Sequence, residues 1–230
     1  MRLVQLDAAH DLALAKIEAT GLAALAGLTK LSYLDLGKTR VSGPGLKHLA
    51  AFGKLTCVAL GGSPVDDDGL RHLPALPLTG LPLEGTRITD KGLARLETLP
   101  TLQSVSLDNT GVSDQGLAHL AKCSQLRYLS LDRTKITDAG LARLRGLRRT
   151  LLALRRTSIT DAGLAELRTM PLTCLVKMEG WSFQPLGRLP MLRRLDLEDV
   201  ALPPAKVDQL RAALPECAVT VTIPDAALRR

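Results

Sequence analysis

The stretch that decides the fold is Leu126–Leu144, which reads L-R-Y-L-S-L-D-R-T-K-I-T-D-A-G-L-A-R-L. Its first half, L-x-x-L-x-L, ends in alternating leucines, and this period of two predicts a short strand with leucines on one side. The second half, D-x-G-L-x-x-L, switches to helical spacing, and Asp138 stands where a helix N-cap belongs. The stretch therefore predicts one strand–loop–helix unit.

This unit recurs along most of the chain. A weak copy starts at Asp7, and clearer copies start at Leu31, Leu55, Leu78, Leu102, Leu126, Arg149, Thr173 and Leu192. The intervals are 23 or 24 residues, except for a last one of 19. A fixed period of this length is the signature of a solenoid, in which each unit buries its apolar face against its neighbours. We therefore predict one continuous coil.

The repeated residues resemble leucine-rich repeats, and more narrowly the bacterial subclass with T-x-I/V-T/S-D-x-G-L-x-x-L, related to the repeats of F-box-type and cysteine-containing leucine-rich proteins. The motif is clearest from Thr134 to Leu144. The resemblance implies an α/β leucine-rich-repeat solenoid: a right-handed β-α superhelix with a parallel concave sheet and convex helices. No F-box precedes the repeats in this sequence, so a ubiquitin-ligase role has no support.

We expect residues 1–230 to form a single domain. Residues 1–30 are a weak N-terminal repeat or cap, 31–201 are the repeats, and 202–230 are a C-terminal helix–strand cap and tail. His10 stands where a leucine should point inward, so the N-terminal end is poorly sealed. Self-association through this end is therefore one alternative.

Three repeat positions have structural explanations. Hydroxyls are expected to satisfy open backbone groups in the loop after each strand, at Thr39, Ser63, Thr86, Thr110, Thr134 and Thr157. Glycines are expected where neighbouring turns approach closely, at Gly21, Gly45, Gly69, Gly92, Gly116, Gly140 and Gly163. Aspartates are expected to cap the helices, at Asp67, Asp90, Asp114, Asp138 and Asp161.

Two places depart from the pattern. In the unit from Thr173 to Leu192 we assign the core positions to Val176, Met178, Trp181 and Phe183. Sliding this register by one residue would bury Lys177, at a substantial desolvation cost. Pro82 stands in mid-strand and lacks the N–H that a ladder needs, so we expect a local disturbance of the sheet.

The sequence carries no motif for chemistry. It has no nucleophile elbow, zinc-protease motif, phosphate loop or dinucleotide fingerprint, so we predict a non-enzymatic protein without cofactor or metal. His48, His72 and His119 share one outward position on the convex helices and fit a solvated surface. The four cysteines lack C-x-x-C spacing and fall on turns too far apart to pair, which favours a reducing compartment. With no signal peptide and no membrane-spanning apolar run, we expect a cytoplasmic location.

The concave face is the predicted binding surface. Tyrosine and arginine dominate many interfaces, and Tyr128 lies on this face near a cluster of arginines. The predicted site comprises Tyr128, Arg133, Lys135, Arg155, Arg156, Asp132, Tyr33 and Asp35. We expect a protein partner there. The competing interpretation is that these arginines form an ordinary solvated face.

Charge leaves a further alternative open. Residues 127–156 contain nine basic and two acidic residues, which equals the whole net charge of +7. An acidic ligand or a nucleic acid is therefore an alternative partner for this basic patch. Carboxylates that alternate along the same face, and the scarcity of aromatic residues at 2%, argue against nucleic acid. A minor alternative is an enzyme with an unrecognised site.

Overall fold

The computed structural model describes residues 11–13, 19–147, 151–167, 172–177, 191–197 and 203–222. Within these ranges ten strands form one parallel sheet, in which each strand pairs with its neighbours in chain order. They are β1 (Asp11–Ala13), β2 (Tyr33–Asp35), β3 (Cys57–Ala59), β4 (Gly80–Pro82), β5 (Ser104–Ser106), β6 (Tyr128–Ser130), β7 (Leu151–Ala153), β8 (Cys174–Lys177), β9 (Arg194–Leu197) and β10 (Ala218–Val221). This is the coil that the repeat predicts.

Short helices return the chain over the convex side. The α-helices are α1 (Ala19–Ala24), α2 (Asp67–Leu70), α3 (Asp90–Leu93), α4 (Leu117–Leu120), α5 (Asp138–Leu141), α6 (Asp161–Glu166) and α7 (Pro204–Ala213). Three 3-10 helices cover Gly43–Ala51, Ala94–Thr98 and Ala142–Gly146. The α-helices before α7 span only four to six residues because the strand and its loops use most of each repeat. None of the helices in the described ranges is long and apolar enough to cross a membrane.

The core is a column of inward-pointing leucines and their aliphatic equivalents between the sheet and the helices. The central residue of each strand from β2 to β7 is fully buried, as at Leu34, Val58 and Leu129. The equivalent leucine of the convex helices, such as Leu93 and Leu141, closes the core from the other side. Each unit buries these side chains against the units before and after it, so the core is continuous along the coil.

The register that we predicted for the unit after Thr173 is wrong. Leu152 pairs with Leu175, which is fully buried, and Val176 pairs with the outward Ala153. Leu172 is also buried, so the unit starts one residue earlier than predicted and keeps its L-x-x-L spacing. The free energy gained by burying these two leucines outweighs the cost of placing Lys177 at a core position of the repeat, where it pairs with Leu197. Met178, Trp181 and Phe183 lie outside the described residues.

The first strand also differs from the prediction. Leu12, two residues beyond His10, pairs with Leu34. In this register Leu12 corresponds to Leu34, so the weak copy begins two residues later than the sequence alignment indicates. His10 itself lies outside the described residues.

The hydroxyl column is confirmed at its five threonines, but not at Ser63, whose buried hydroxyl has no hydrogen-bond partner among the described residues. The Oγ1 atoms of Thr39, Thr86 and Thr134 are buried and donate to the carbonyl three residues earlier, at 2.5–2.7 Å. Thr110 and Thr157 make the same bond. Each hydroxyl satisfies a carbonyl at the end of a strand, where the chain turns away from the sheet.

We predicted that the aspartates of the column cap their own helices, and this prediction is wrong for the aspartates that follow. Asp90 is the first residue of α3, and its carboxylate accepts from the backbone N–H (2.7 Å) and the hydroxyl (2.5 Å) of Ser113 on the next turn. The same pair of bonds joins Asp67 to Thr89, Asp114 to Thr137 and Asp138 to Thr160. These aspartates therefore join adjacent turns. Helices are capped by the residue before the aspartate in two cases: the Asp66 carboxylate accepts from the N–H of Gly69 in α2, and the Thr160 hydroxyl accepts from the N–H of Ala162 in α6.

The glycine column is confirmed from the third repeat on, where neighbouring turns approach closely at Gly69, Gly92, Gly116, Gly140 and Gly163, whereas on the preceding turn Gly43 makes the approach to Gly69. A Cβ placed on Gly92 would lie 2.5 Å from Oδ1 of Asp67, and Gly116 and Gly140 lie equally close to Asp90 and Asp114. The absence of a Cβ thus lets each aspartate reach across to the next turn.

Pro82 disturbs the sheet as predicted. The ladder between β3 and β4 is reduced to the pair Cys57 and Gly80, whereas β4 and β5 pair over three residues. Proline has no N–H to donate towards β3, although its carbonyl still accepts from Leu60 (2.9 Å). The interruption falls beside the candidate site described next.

Candidate functional site

A row of residues with left-handed backbone runs along the edge of the concave sheet where each strand ends. Glycine occupies this position at Gly62 and Gly85, whereas Lys38, Asn109, Arg133 and Arg156 adopt φ angles of 53 to 56°. From Lys38 to Arg133, each N–H of the row donates to a carbonyl of the next turn at 2.7–2.8 Å. These bonds fix the backbone, so the side chains of the row project from the rim.

Beside this row lies a groove of about 460 Å³, which we call the rim groove. It crosses six turns and is lined by Lys38, Gly61, Gly62, Glu84, Gly85, Asp108, Asn109, Asp132, Arg133, Arg155 and Arg156. Five strand spacings make it roughly 24 Å long. Glycines form its floor on the second and third turns, and charged side chains stand on the later turns.

Asp132 and Arg155 form the most buried charged contact of the rim groove. The Asp132 side chain is 8% exposed and accepts from the backbone N–H (2.7 Å) and Nε (2.5 Å) of Arg155. Burial raises the pKa of Asp132 in spite of these bonds, and the nearby charge of Asp108 adds to the effect. The pair joins two turns and neutralises itself, so it contributes little net charge to a ligand.

Asp108 continues the same connection one turn earlier. Its Oδ1 accepts from the hydroxyl of Ser130 (2.5 Å) and from the backbone N–H of Asp132 (2.8 Å). Its Oδ2 accepts from the hydroxyl of Ser106 (3.2 Å). The carboxylate is therefore held in place by neighbouring strands.

The rim groove brings together Asp132, Arg133, Arg155 and Arg156 of the predicted site. Tyr128 lies on β6 of the same sheet, outside the residues that line the groove, and is 38% exposed. Partial burial, followed by the nearby charges of Asp108 and Asp132, raises the pKa of the Tyr128 phenol.

The other predicted residues lie apart from this cluster. Lys135 is exposed and forms a bridge with Ser113 on the loop side of the coil, outside the residues that line the groove. Tyr33 and Asp35 lie on β2, where Tyr33 falls in the same row of the sheet as Tyr128. Four strand spacings, roughly 19 Å, separate the two tyrosines. The residues between them in that row are small: Cys57, Gly80 and Ser104.

Sequence reasoning missed Glu84, Asn109, Lys38 and the groove-floor glycines. The signal was the repeat position two residues after the last strand leucine, which holds lysine, glycine, glycine, asparagine, arginine and arginine in successive turns. Glycine and asparagine are the residues that most readily adopt left-handed backbone. Their recurrence at one position predicts a row of such turns.

Other reactive side chains serve the structure. His119 contacts Glu97 through Nδ1 (2.5 Å), and this bond, followed by that from Lys122, lowers the pKa of Glu97. Burial raises the pKa of the Cys123 and Cys174 thiols to about 11, so both stay protonated at neutral pH. Across the described ranges, no three His, Cys, Asp or Glu side chains are grouped to hold a metal ion.

Comparisons with known proteins agree with this architecture. A family model described as Leucine Rich repeat matches residues 122–144. An internalin (inlF) from Listeria monocytogenes str. 4b F2365 has a TM-score of 0.60 at 20% identity, covering 95% of this chain and 59% of that one. Internalin C2 (inlC2) from the same strain has a TM-score of 0.59 at 23% identity, covering 89% and 92%. No curated protein matches the chain by sequence.

The chain thus spans 59% of the length of the first of these internalins. One parallel sheet with a strand per repeat, and helices on the opposite side, is the arrangement that the repeat predicts. The chain therefore has the fold of an α/β leucine-rich-repeat solenoid.

Proposed function

We propose that the chain is a non-catalytic module that binds a protein partner on its concave face, centred on Tyr128 and the adjoining rim groove. The observation that carries the proposal is the exposed ring of Tyr128 on the concave sheet, together with the exposed guanidinium groups of Arg133 and Arg156 that line the rim groove. Tyrosine and arginine are the residue types that most often dominate binding energy at interfaces.

The size of the concave sheet supports this proposal. Ten strands at a spacing of about 4.8 Å extend over roughly 43 Å. A partner of standard interface size needs about 800 Å² on each side. The sheet and its rim supply this area without rearrangement of the core.

A second candidate function is the binding of an acidic or nucleic-acid ligand through the basic patch at 127–156. It is favoured by the nine basic residues in that window. Two of them are already in ion pairs, Arg145 with Glu166 and Arg155 with Asp132. The carboxylates of Glu84 and Asp108 also line the groove and would repel phosphates. We therefore rank this function second.

We further propose that the repeats belong to the bacterial T-x-I/V-T/S-D-x-G-L-x-x-L subclass and are related to F-box-type repeats. The aspartate of this motif joins adjacent turns at Asp90, Asp114 and Asp138. This shared role in successive units is what supports the subclass.

The test of the protein-binding function is affinity capture from a lysate of the source organism, followed by mass spectrometry. The variant combines Tyr128→Ala with Arg156→Glu. Arg155 is left unchanged because a glutamate there would face the buried carboxylate of Asp132. The matched control is Arg143→Glu, on the 3-10 helix Ala142–Gly146 of the convex side.

We expect wild type and the control to capture the same proteins and the Tyr128 variant to lose them. Circular dichroism and urea unfolding would establish that all three are folded. If the folded Tyr128 variant still captures the wild-type set, the proposed site is misplaced. Binding of single-stranded DNA that weakens steeply with added salt would favour the second candidate.

A further inference from the structure

We propose that the rim groove binds an extended protein segment of mixed charge, with acidic side chains at Arg133 and Arg156 and a basic side chain at Glu84. This inference rests on the proposed function, because it names the segment of the partner that the same region would hold. It adds the chemistry and spacing of that segment.

Some charged side chains of the groove lack a partner within the chain and are available to a ligand. Arg133, Arg156 and Glu84 are exposed, and none of them makes an ion pair with any residue that the structure describes. Asp132 and Arg155 instead neutralise each other, and Asp108 is held by two serine hydroxyls and a backbone N–H. The groove thus offers to a ligand one free carboxylate, two free guanidinium groups and, on its first turn, the exposed ammonium group of Lys38.

These charges follow a fixed order along the coil. Glu84 follows β4, Arg133 follows β6 and Arg156 follows β7. Glu84 is therefore two strand spacings from Arg133 and three from Arg156, or roughly 10 and 14 Å along the coil. An extended chain advances about 3.3 Å per residue. A basic residue followed after three and four positions by acidic residues, in either chain direction, matches this pattern.

The groove also has space for a main chain. Gly61, Gly62 and Gly85 line the groove without side chains, and Glu84 lies against Gly61. The groove of about 460 Å³ is open along its length and continues past Asn109 to the arginines. An extended segment can therefore lie along the rim with its side chains reaching the charged groups.

Backbone strain supports the importance of the two arginines. Arg133 and Arg156 have φ angles of 56° and 54°, a conformation that glycine adopts freely at the same position in two other turns. A side chain in this conformation strains the backbone, as it also does at Lys38 and Asn109 of the same row. Residues held in this way often serve binding.

The charges also decide between classes of ligand. A nucleic acid presents phosphates at every step and would meet the free carboxylate of Glu84 in the middle of the groove. A protein segment of mixed charge meets it with a basic side chain. The geometry therefore favours the protein segment, and nucleic acid becomes an outcome of the test.

The experiment measures the binding of fluorescein-labelled peptides to the full chain by anisotropy at low ionic strength. Two peptides carry the spaced patterns Lys-Gly-Gly-Glu-Glu and Glu-Glu-Gly-Gly-Lys between glycine–serine ends. A composition-matched peptide has its lysine adjacent to the two glutamates, and a fourth replaces the lysine with glutamine. We expect one spaced peptide to bind about fivefold more tightly than the adjacent-charge peptide, since an exposed pair contributes up to about 1 kcal/mol.

Two variants assign the contacts. Glu84→Gln should remove the preference for lysine over glutamine in the spaced peptide, while Arg133→Gln should weaken both peptides by about fivefold. Arg143→Gln removes one charge from the convex side and should change neither affinity. The Glu84 side chain makes no hydrogen bond or ion pair with a described residue, so its substitution should leave the fold unchanged.

The inference is overturned if the spaced and adjacent peptides bind equally, or if Glu84→Gln leaves the lysine preference intact. Tighter binding of a single-stranded oligonucleotide than of any peptide would replace it with the nucleic-acid function. If the peptide result fails in either way but the Tyr128 variant loses lysate capture, the proposed function stands and only the bound segment is wrong. If the peptide result fails and the Tyr128 variant also keeps lysate capture, the proposed function fails as well.

Discussion

Arg155 donates to the buried carboxylate of Asp132 through both its backbone N–H and its Nε, so one aspartate fastens a strand end and a side chain of the next turn. The bond explains why Arg155, although exposed in part at the groove, is a poor choice for charge reversal. The burial of the same carboxylate creates an unusual dependence of stability on pH.

We predict that the stability of wild type relative to Asp132→Asn falls as the pH rises. Burial holds the pKa of Asp132 in the folded protein above its ordinary value of 3.8. Between these two pKa values the folded state binds more protons than the unfolded state, so the free energy of unfolding declines with increasing pH. The contribution of Asp132 is complete below 3.8 and is lost as pH passes through the raised pKa.

Urea unfolding of both proteins from acid to neutral pH measures this difference, since the asparagine does not titrate and other groups cancel. The opposite slope, with wild type gaining on the variant towards neutral pH, would mean that the ion pair with Arg155 outweighs the cost of burial.

A second prediction concerns the aspartates that join adjacent turns. Asp90→Ala removes the acceptor of two hydrogen bonds from Ser113, and we expect a loss of about 1–2 kcal/mol in the free energy of unfolding. Asp68→Ala is the matched control, because Asp68 is in the first turn of α2 but makes only an exposed ion pair with Arg71. It should change stability by less than about 0.5 kcal/mol. Equal losses in urea unfolding would mean that charge near the helix start, and not the bond to the next turn, is what matters.

These aspartates show how far sequence reasoning reaches. The period of the leucines predicts the sheet, the coil and the inward face, because repeated burial leaves one arrangement open to the chain. The same period says nothing about where Asp90 sends its carboxylate. A local N-cap and a bond to Ser113 on the next turn place an aspartate at the same repeat position, and only the distance between turns distinguishes them.

The register near Thr173 was mispredicted for a related reason. Avoiding burial of Lys177 was given more weight than keeping Leu172 and Leu175 in the core, and the structure keeps the two leucines. For the site, the arginines could be predicted from composition and strand alternation. The rim groove could not, because it arises from left-handed backbone at Gly62, Gly85 and their equivalents, which a hydrophobic pattern does not reveal.

A third prediction tests the close approach of turns at the glycine column. Gly69→Ala would place a Cβ 2.8 Å from the Cα of Gly43 on the neighbouring turn, and a backbone atom cannot rotate away as a side chain does. We expect a loss of about 2 kcal/mol, in the range of other overpacked cores. The control is Gly146→Ala at the end of a 3-10 helix, where an added Cβ meets nothing within 4 Å and should stabilise slightly by restricting the unfolded chain. Urea unfolding of the two variants separates the causes: if both lose stability alike, backbone freedom explains the column, whereas a loss at Gly69 alone shows that the turns are packed too tightly there for any side chain.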